Sequence, residues 1–166
     1  MQIREITIDG AATDPFEHLW PVMQSVIAPG DTYNYPADLG YEEARAMWTA
    51  PPTRCFVAEG ADGALLGFYK LRPNQPGRGD HVANASYMVA PAARGRGVAR
   101  ALCMHSLDEA RRVGFSAMQF NFVVSTNAPA VHLWQSCGFE IVGRIPGGFR
   151  HATLGAVDVY VMHRFL

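Results

Sequence analysis

The stretch Arg94-Gly95-Arg96-Gly97 places two arginines and two glycines in consecutive alternation. An apolar run, Ala85 to Val89, reads as a strand leading into it, and Pro91 ends that strand because proline has no backbone donor. From Val98 onward, Val98, Leu102, His105 and Leu107 follow an approximately helical spacing, with Gly114 as the stop. Strand, glycine-rich turn and helix start together aim free backbone N–H groups at one point, which is chemistry for holding an anion. The glycines allow close approach and positive φ, and Arg94, Arg96 and Arg100 add positive charge. A solvated surface bend fits the same residues. No Gly-Lys-Ser/Thr follows, so the phosphate loop of nucleotide hydrolases is excluded. Arg100 stands where a Gly-x-Gly-x-x-Gly dinucleotide turn needs glycine.

Other residues narrow the chemistry. His81, His132 and His151 have no metal-ligand spacing, so no metal is expected. Cys55, Cys103 and Cys137 are an odd number at wide spacing, which suits neither a metal cluster nor a disulfide framework and suggests a reducing compartment. The net charge of −1 gives no global field to recruit nucleic acid or membrane. No apolar run is long enough to span a bilayer, and Met1-Gln2-Ile3-Arg4-Glu5 is not a signal peptide. A cytoplasmic protein without nucleic-acid or membrane partners is the expectation. Nothing in the residues sets the oligomeric state, a homodimer included.

The elements that must position these groups can be read in order. The chain of 166 residues, 49% hydrophobic and 17% charged, suits one domain, 1–166, with a sizeable core. Gln2 to Ile8 reads as a strand ended by Asp9-Gly10, and Asp14-Pro15 as a helix start, with Pro21 kinking or shortening that helix. Asp31 to Pro36 is a polar, aromatic loop. A second helix spans about Gly40 to Thr49 before Pro51-Pro52. Arg54–Glu59 and Ala64–Leu71 are strands joined by an Asp62-Gly63 turn. Pro73–Asp80 is a loop, and His81–Val89 is the strand entering the basic turn. The helix from about Gly97 to Val113 precedes a central strand, Ser116–Val124. Asn127 or Thr126 caps a helix carrying Ala130, Leu133, Trp134 and Cys137, and Gly138 ends it. Phe139–Gly143 is a strand, Pro146–Arg150 a loop, and Ala156–Phe165 a last strand with Val157, Val159 and Val161 facing away from Asp158, Tyr160 and Met162. The fold class is α/β (α+β): a mixed central sheet of about seven strands with helices on both faces.

Arg94, Gly97 and Ala99 match Arg-x-x-Gly-x-Ala, which resembles the pyrophosphate-binding signature of the GCN5-related N-acetyltransferases, the GNAT superfamily. Asn127, Ala130, Leu133, Gly138 and Phe139 are similar to that superfamily's Asn-x-x-Ala-x-x-Leu-Tyr-x-x-x-Gly-Phe helix, with Trp134 at the tyrosine position. The element order is also the superfamily's. Closer in, His81-Val82-x-Asn84-Ala85, Phe120-Asn121 with Asn127 following, Asp31-Thr32-Tyr33 and Gly155-x-Val157-Asp158-x-x-Val161-Met162 resemble the subgroup of the fungal azetidine-2-carboxylate acetyltransferase.

The resemblance implies an acetyl-CoA-dependent N-acetyltransferase acting on a small-molecule amine or amino acid by direct attack. It implies a cleft where Ala85–Val89 and Phe120–Val124 splay apart. The pyrophosphate would rest on the backbone from Arg94 through Gly95, Arg96, Gly97, Val98 and Ala99, with Arg100 adding charge. Backbone of Met88, Val89 and Ala90 would pair with the pantetheine arm, an amide next to Val89 would serve as oxyanion donor, and Asn127 and Trp134 would touch the cofactor. Asn127 also fits a helix cap alone. Asp31, Tyr33, Tyr35 and Tyr87 are the candidates for the acceptor site. Asn84 and Asn121 lie in apolar strands, where asparagine is disfavoured, and are the candidate catalytic pair; hydrogen bonding within the sheet is their plainer role. Trp134 offers no acid at neutral pH. Ser136, Cys137 and Tyr87 are the substitutes at hand. The departure at Trp134 also admits a non-catalytic acyl-CoA sensor.

Overall fold

The computed structural model describes residues 1–7 and 14–166. The elements run β1 (Gln2–Ile6), α1 (Phe16–Ile27), α2 (Tyr41–Thr49), β2 (Arg54–Glu59), β3 (Leu65–Pro73), β4 (Val82–Val89), α3 (Val98–Arg112), β5 (Ala117–Val124), α4 (Ala128–Ser136), β6 (Glu140–His151) and β7 (Gly155–Phe165). The expected end of the first strand at Ile8 and its Asp9-Gly10 turn lie outside the described residues.

Local chemistry explains most boundaries. The Asp14 carboxylate accepts the Phe16 N–H at 3.0 Å and so satisfies a donor at the start of α1. Phe16, Leu19, Met23 and Val26 form its buried stripe, and the helix runs through Pro21 over its full 12 residues. The turn between β2 and β3 has Gly63 at φ +78°, with the Asp62 carboxylate accepting the Ala64 N–H. Asn127 caps α4, its side chain accepting the Ala130 N–H at 3.3 Å.

The strands form one seven-stranded sheet in the order β1-β2-β3-β4-β5-β7-β6. Every neighbouring pair is antiparallel except β4 and β5. That parallel pair is joined through α3, as a parallel connection requires. Leu102 and Leu107 of α3 and Trp134 of α4 pack with Met118, Phe120 and Met162 on one face. On the other, Phe16, Leu19 and Met23 of α1 and Trp48 of α2 cover Cys55, Val57, Phe68 and Met88.

Two expectations about the C-terminal strands are corrected. Pro146–Arg150 is not a loop but part of β6, where the pairing with β7 shifts between Ile145 and Phe149. The Asp158 carboxylate accepts the Gly147 N–H at 2.9 Å, and Gly147 takes φ +60°. Bulge residues have the composition of turn residues, which hides the continuous strand. Met162 is fully buried rather than on a polar face, because β7 lies inside the sheet and Met162 sits between Phe120 of β5 and Ile141 of β6.

Gly67 allows β3 and α3 to close on β4. A Cβ there would lie 2.7 Å from the Met88 carbonyl oxygen and 3.2 Å from Leu102 Cδ1. Gly67→Ala is therefore expected to lower stability by about 1–2 kcal/mol through overpacking, read as a drop in the thermal midpoint.

Candidate active site

β4 and β5 pair at only two positions, Val82 with Ala117 and Ala83 with Met118, and then part. At the fork the Asn84 carboxamide donates to the Gln119 carbonyl at 2.9 Å, spanning the strands where the ladder stops. The divergence lies toward the carboxyl ends of both strands, the usual ligand position in sheets with parallel connections.

Alternation of the antiparallel ladder decides which groups of β4 face the gap. Asn74 N–H bonds the Val82 carbonyl at 2.8 Å, and Ala90 N–H bonds the Leu66 carbonyl at 2.9 Å. With the continuous register between them, the even-numbered residues of β4 bond to β3. Ala85, Tyr87 and Val89 therefore turn N–H and C=O toward the gap. Of the three residues expected to present backbone to a pantetheine arm, Val89 is the one whose N–H and C=O both face the gap. Met88 is bonded to β3, and the carbonyl of Ala90 is also taken, by the Ala93 N–H at 2.8 Å.

The gap opens into a cleft with a cavity volume of about 140 Å³. Ala85, Ser86 and Tyr87 form one wall, Phe120, Phe122, Val123 and Val124 the opposite one. Asn127, Ala130 and Trp134 of α4 close one side, and Thr32 and Tyr33 of the loop before α2 close the other. Trp134 is 9% exposed, with its ring 4.9 Å from that of Tyr87 and 5.1 Å from that of Phe120. Asn127 thus both caps α4 and lines the cleft.

The basic turn leads from the end of β4 into α3. Gly95 and Gly97 have φ +74° and +77°, and a Cβ at either would meet nothing within 4 Å. The first bond of α3 runs from Ala101 N–H to the Gly97 carbonyl at 3.1 Å, so the N–H groups of Val98, Ala99 and Arg100 precede the ladder. The Val98 side chain is buried and anchors the helix start, which leaves its N–H as the group it can offer an anion. Arg94 and Arg96 are exposed, and among the described residues neither is ion-paired. Arg100 turns aside and donates to Ser136 Oγ at 2.9 Å.

The acceptor-side candidates divide. The Tyr33 hydroxyl donates to the Tyr87 carbonyl at 2.5 Å, which ties the loop to β4 over the cleft. Tyr33 stacks on Tyr35 at 5.3 Å, and Tyr35 lies back against Trp48 and Lys70. Tyr87 offers its ring to the cleft, but its hydroxyl lies in the core against Ser106 Oγ at 2.6 Å, and burial pushes the phenol well above its ordinary range. Asp31 and Tyr35 do not line the cavity. Neither do Asn84 and Asn121: Asn121 donates to Asn74 Oδ1 at 2.6 Å and accepts from Gln119 Nε2 at 2.8 Å. The substitute acids fare no better, since Ser136 is engaged by Arg100 and Leu133, and Cys137 is buried away from the lining. Of the lining residues not named individually as site residues, Ala85, Ser86, Phe120, Phe122, Val123 and Val124 lie in the two strands expected to splay apart, while Thr32 and Ala130 lie outside them. The apolar run ending β5 carried a signal for its four, and Thr32 is distinguished only by its place next to Tyr33.

The acetyltransferase (GNAT) family model matches residues 16–139, about three quarters of the chain. A GCN5-related N-acetyltransferase from Kribbella flavida superposes with a TM-score of 0.92 at 47% identity, over 99% of this chain and 97% of that one. N-acetyltransferase aca1 of Schizosaccharomyces pombe is 36% identical over 99 residues, 59% of this chain and 47% of the relative, so the chain spans about half the length of that curated relative. A phosphinothricin acetyltransferase from Sinorhizobium meliloti, solved in complex with acetyl-CoA, superposes with a TM-score of 0.85 over 99% of this chain and 88% of that one; at 17% identity this is a likeness of fold. Over that span of sequence and that closeness of backbone, this chain belongs to the GNAT acetyltransferase family.

Proposed function

We propose that this chain transfers the acetyl group of acetyl-CoA to the amine of a small molecule or amino acid. The observation that carries the reading is the β4–β5 fork, with the unpaired backbone of Val89 facing the gap and the glycine turn directly after it. The donor set fits coenzyme A. Gly95 and Gly97 leave open space for the diphosphate, the N–H groups from Val98 to Arg100 point out of the helix start, and Arg94 and Arg96 carry uncommitted charge. Acetyl-CoA, when bound, would supply the acetyl group as a thioester, with coenzyme A leaving as the thiol.

The remaining work falls to the chain. Backbone N–H groups of Tyr87 and Val89 face the gap and are the donors for negative charge developing on the acetyl oxygen. Phe120, Phe122 and Trp134 exclude water from the cleft. Asn84, whose carboxamide oxygen has no protein partner among the described residues, and Asn121 stand at the fork outside the cavity lining, and they stay the proposed pair, orienting the reacting groups from its edge. Asn84→Ala and Asn121→Ala are expected to lower turnover by more than about tenfold, the scale of one positioned hydrogen bond. Parental rates in both, with unchanged circular dichroism, remove them from the site. The likeness to the azetidine-2-carboxylate subgroup supports an amino-acid acceptor.

A second reading, a non-catalytic acyl-CoA sensor, draws on Trp134 at the usual tyrosine position and on the engagement of both lining phenols, Tyr33 with the Tyr87 carbonyl and Tyr87 with Ser106. Thiol release from acetyl-CoA across a panel of amines and amino acids separates the two. Release that depends on the amine supports transfer; tight cofactor binding without release on any amine supports the sensor.

A further inference from the structure

Beside the cleft, β3 and β4 carry a polar strip on the sheet face covered by α1 and α2. In the ladder Lys70 stands opposite Ser86, and Arg72 opposite Asn84, and directly opposed residues share a face. Ser86 lines the cleft, so this strip is its continuation.

The strip holds positive charge without an answering negative one. Lys70 is 7% exposed, and among the described residues no carboxylate pairs with it. Its ammonium donates to the Met47 carbonyl at 3.2 Å and to the Tyr35 hydroxyl at 3.4 Å, and sits 4.8 Å from the Trp48 ring centroid. Arg72 is exposed and likewise without an ion pair among the described residues.

Tyr35 shows what the strip lacks. Its oxygen accepts from Lys70 Nζ and from Trp48 Nε1, the latter at 3.2 Å. With the oxygen accepting twice, the phenol's own proton is left to donate, and no described residue receives it. Burial raises the phenol above its ordinary range, so the proton stays on. Tyr35 is held in place by its stack on Tyr33, at 5.3 Å and 7°, and Tyr33 is fixed to the β4 backbone. At the cleft, Thr32 Oγ1 is buried with no hydrogen-bond partner. Asp31, the acidic residue next to Thr32, lies outside the lining as Tyr35 and Arg72 do, and among the described residues it forms no ion pair with Lys70 or Arg72. Donors without acceptors, one of them polarised by a buried cation, form a receptor for an anion.

We propose that the acceptor amine carries an anionic group, and that the Tyr35 hydroxyl and Arg72 guanidinium, backed by Lys70, hold that group beside the cleft. The proposal rests on the acetyl-transfer reading above and adds the charge class of the acceptor. Lys70 is a positioning residue in it, acting through Tyr35. A carboxylate and a phosphonate share the required chemistry.

The test compares kcat/KM for an α-amino acid, the aminoalkylphosphonate of the same side chain and the corresponding amino-acid amide. The amide's amine is the less basic, so at neutral pH more of it is free to attack, and chemistry without anion recognition favours the amide. The expected result is a preference of about tenfold or more for at least one anionic acceptor over the amide. Tyr35→Phe, Lys70→Met and Arg72→Met are each expected to reduce that preference about tenfold, the scale of one hydrogen bond to a charged group. A general loss of structure would not move this ratio, and Arg72→Met changes an exposed residue, so at least one variant retains the fold. Preference for the carboxylate or for the phosphonate identifies the anion, and either supports the proposal. Equal or better use of the amide, or an unchanged ratio in the folded variants, overturns it while leaving acetyl transfer standing. The side chain is that of the amino acid best used in the panel above, and binding of acetyl-CoA with no transfer to any amine of that panel overturns the transfer reading and the proposal together.

Discussion

Gly97→Val is expected to weaken acetyl-CoA binding by about a hundredfold, which is close to 2.7 kcal/mol. Gly97 is the residue before α3, at φ +77°, and its carbonyl accepts the first bond of the helix. A left-handed conformation costs an ordinary residue about 1–2 kcal/mol, and a β-branched side chain raises that. The substituted turn relieves the strain by rotating, which turns the N–H groups of Gly97 and Val98 away from the anion. Each hydrogen bond to a charged group lost in this way is worth about 1.5–3 kcal/mol. A Cβ at Gly97 meets nothing within 4 Å, so the damage stays in the turn and does not spread to the core. Gly114→Val is the matching control. It stands after the other end of α3, at φ +93° and equally open, so it carries similar strain without touching the anion site. Calorimetric titration with acetyl-CoA is expected to show the loss in the first variant and parental affinity in the second.

Lys70→Met is expected to raise stability at pH 7 by about 1–3 kcal/mol, with a gain that depends on pH in a defined direction. Burial, with the nearby Arg72 charge adding to it, lowers the Lys70 ammonium from its ordinary 10.5 to about 8. The titratable and charged neighbours that act on it are Tyr35 and Arg72, both described above, and Cys55, which burial pushes up to about 12 and so keeps neutral here. Below pH 8 the lysine is charged in both folded and unfolded chains, and the folded state bears the full cost of burying it. Between about pH 8 and 10.5 the unfolded chain binds more protons than the folded one, so parental stability rises with pH. The advantage of the methionine variant is therefore largest below pH 8 and shrinks across that window. Urea unfolding at pH 7 and pH 10 checks it. A parent as stable as the variant at pH 7 would mean that the Trp48 and Tyr35 rings and the two hydrogen bonds offset the burial completely.

The part of the site legible in the sequence is the part made by consecutive residues. The turn from Arg94 to Gly97 and the Asn127 cap depend on local backbone chemistry, and both stand where their residue types put them. The choice among Met88, Val89 and Ala90 was not legible. It depends on which residues of β4 bond to β3, and that register is fixed between strands rather than within one. The same holds for Tyr87, whose ring and hydroxyl face different environments because Ser106 lies beneath it on α3. The asparagines illustrate the limit differently. Their oddity within apolar strands was visible, but their partners, the Gln119 carbonyl of β5 for Asn84 and Asn74 just after β3 for Asn121, come from distant parts of the chain. Lys70 carried a comparable signal, a lone cation inside the run Leu65–Leu71. Its meaning appears only with Trp48, Tyr35 and Ser86 assembled around it.

Titration of the purified protein with coenzyme A, set beside pantetheine, which lacks the diphosphate and the 3′-phosphoadenosine it carries, in the parent and in Gly97→Val, probes the grip of the arginine–glycine turn. Coenzyme A is expected to bind the parent with pantetheine weaker by about a hundredfold or more, the value of two or so charge-assisted contacts, and the gap narrows in the variant. Equal affinities in the parent, an unchanged gap in the variant, or no heat with millimolar coenzyme A while the fold is intact, would contradict the placement of the diphosphate at the start of α3.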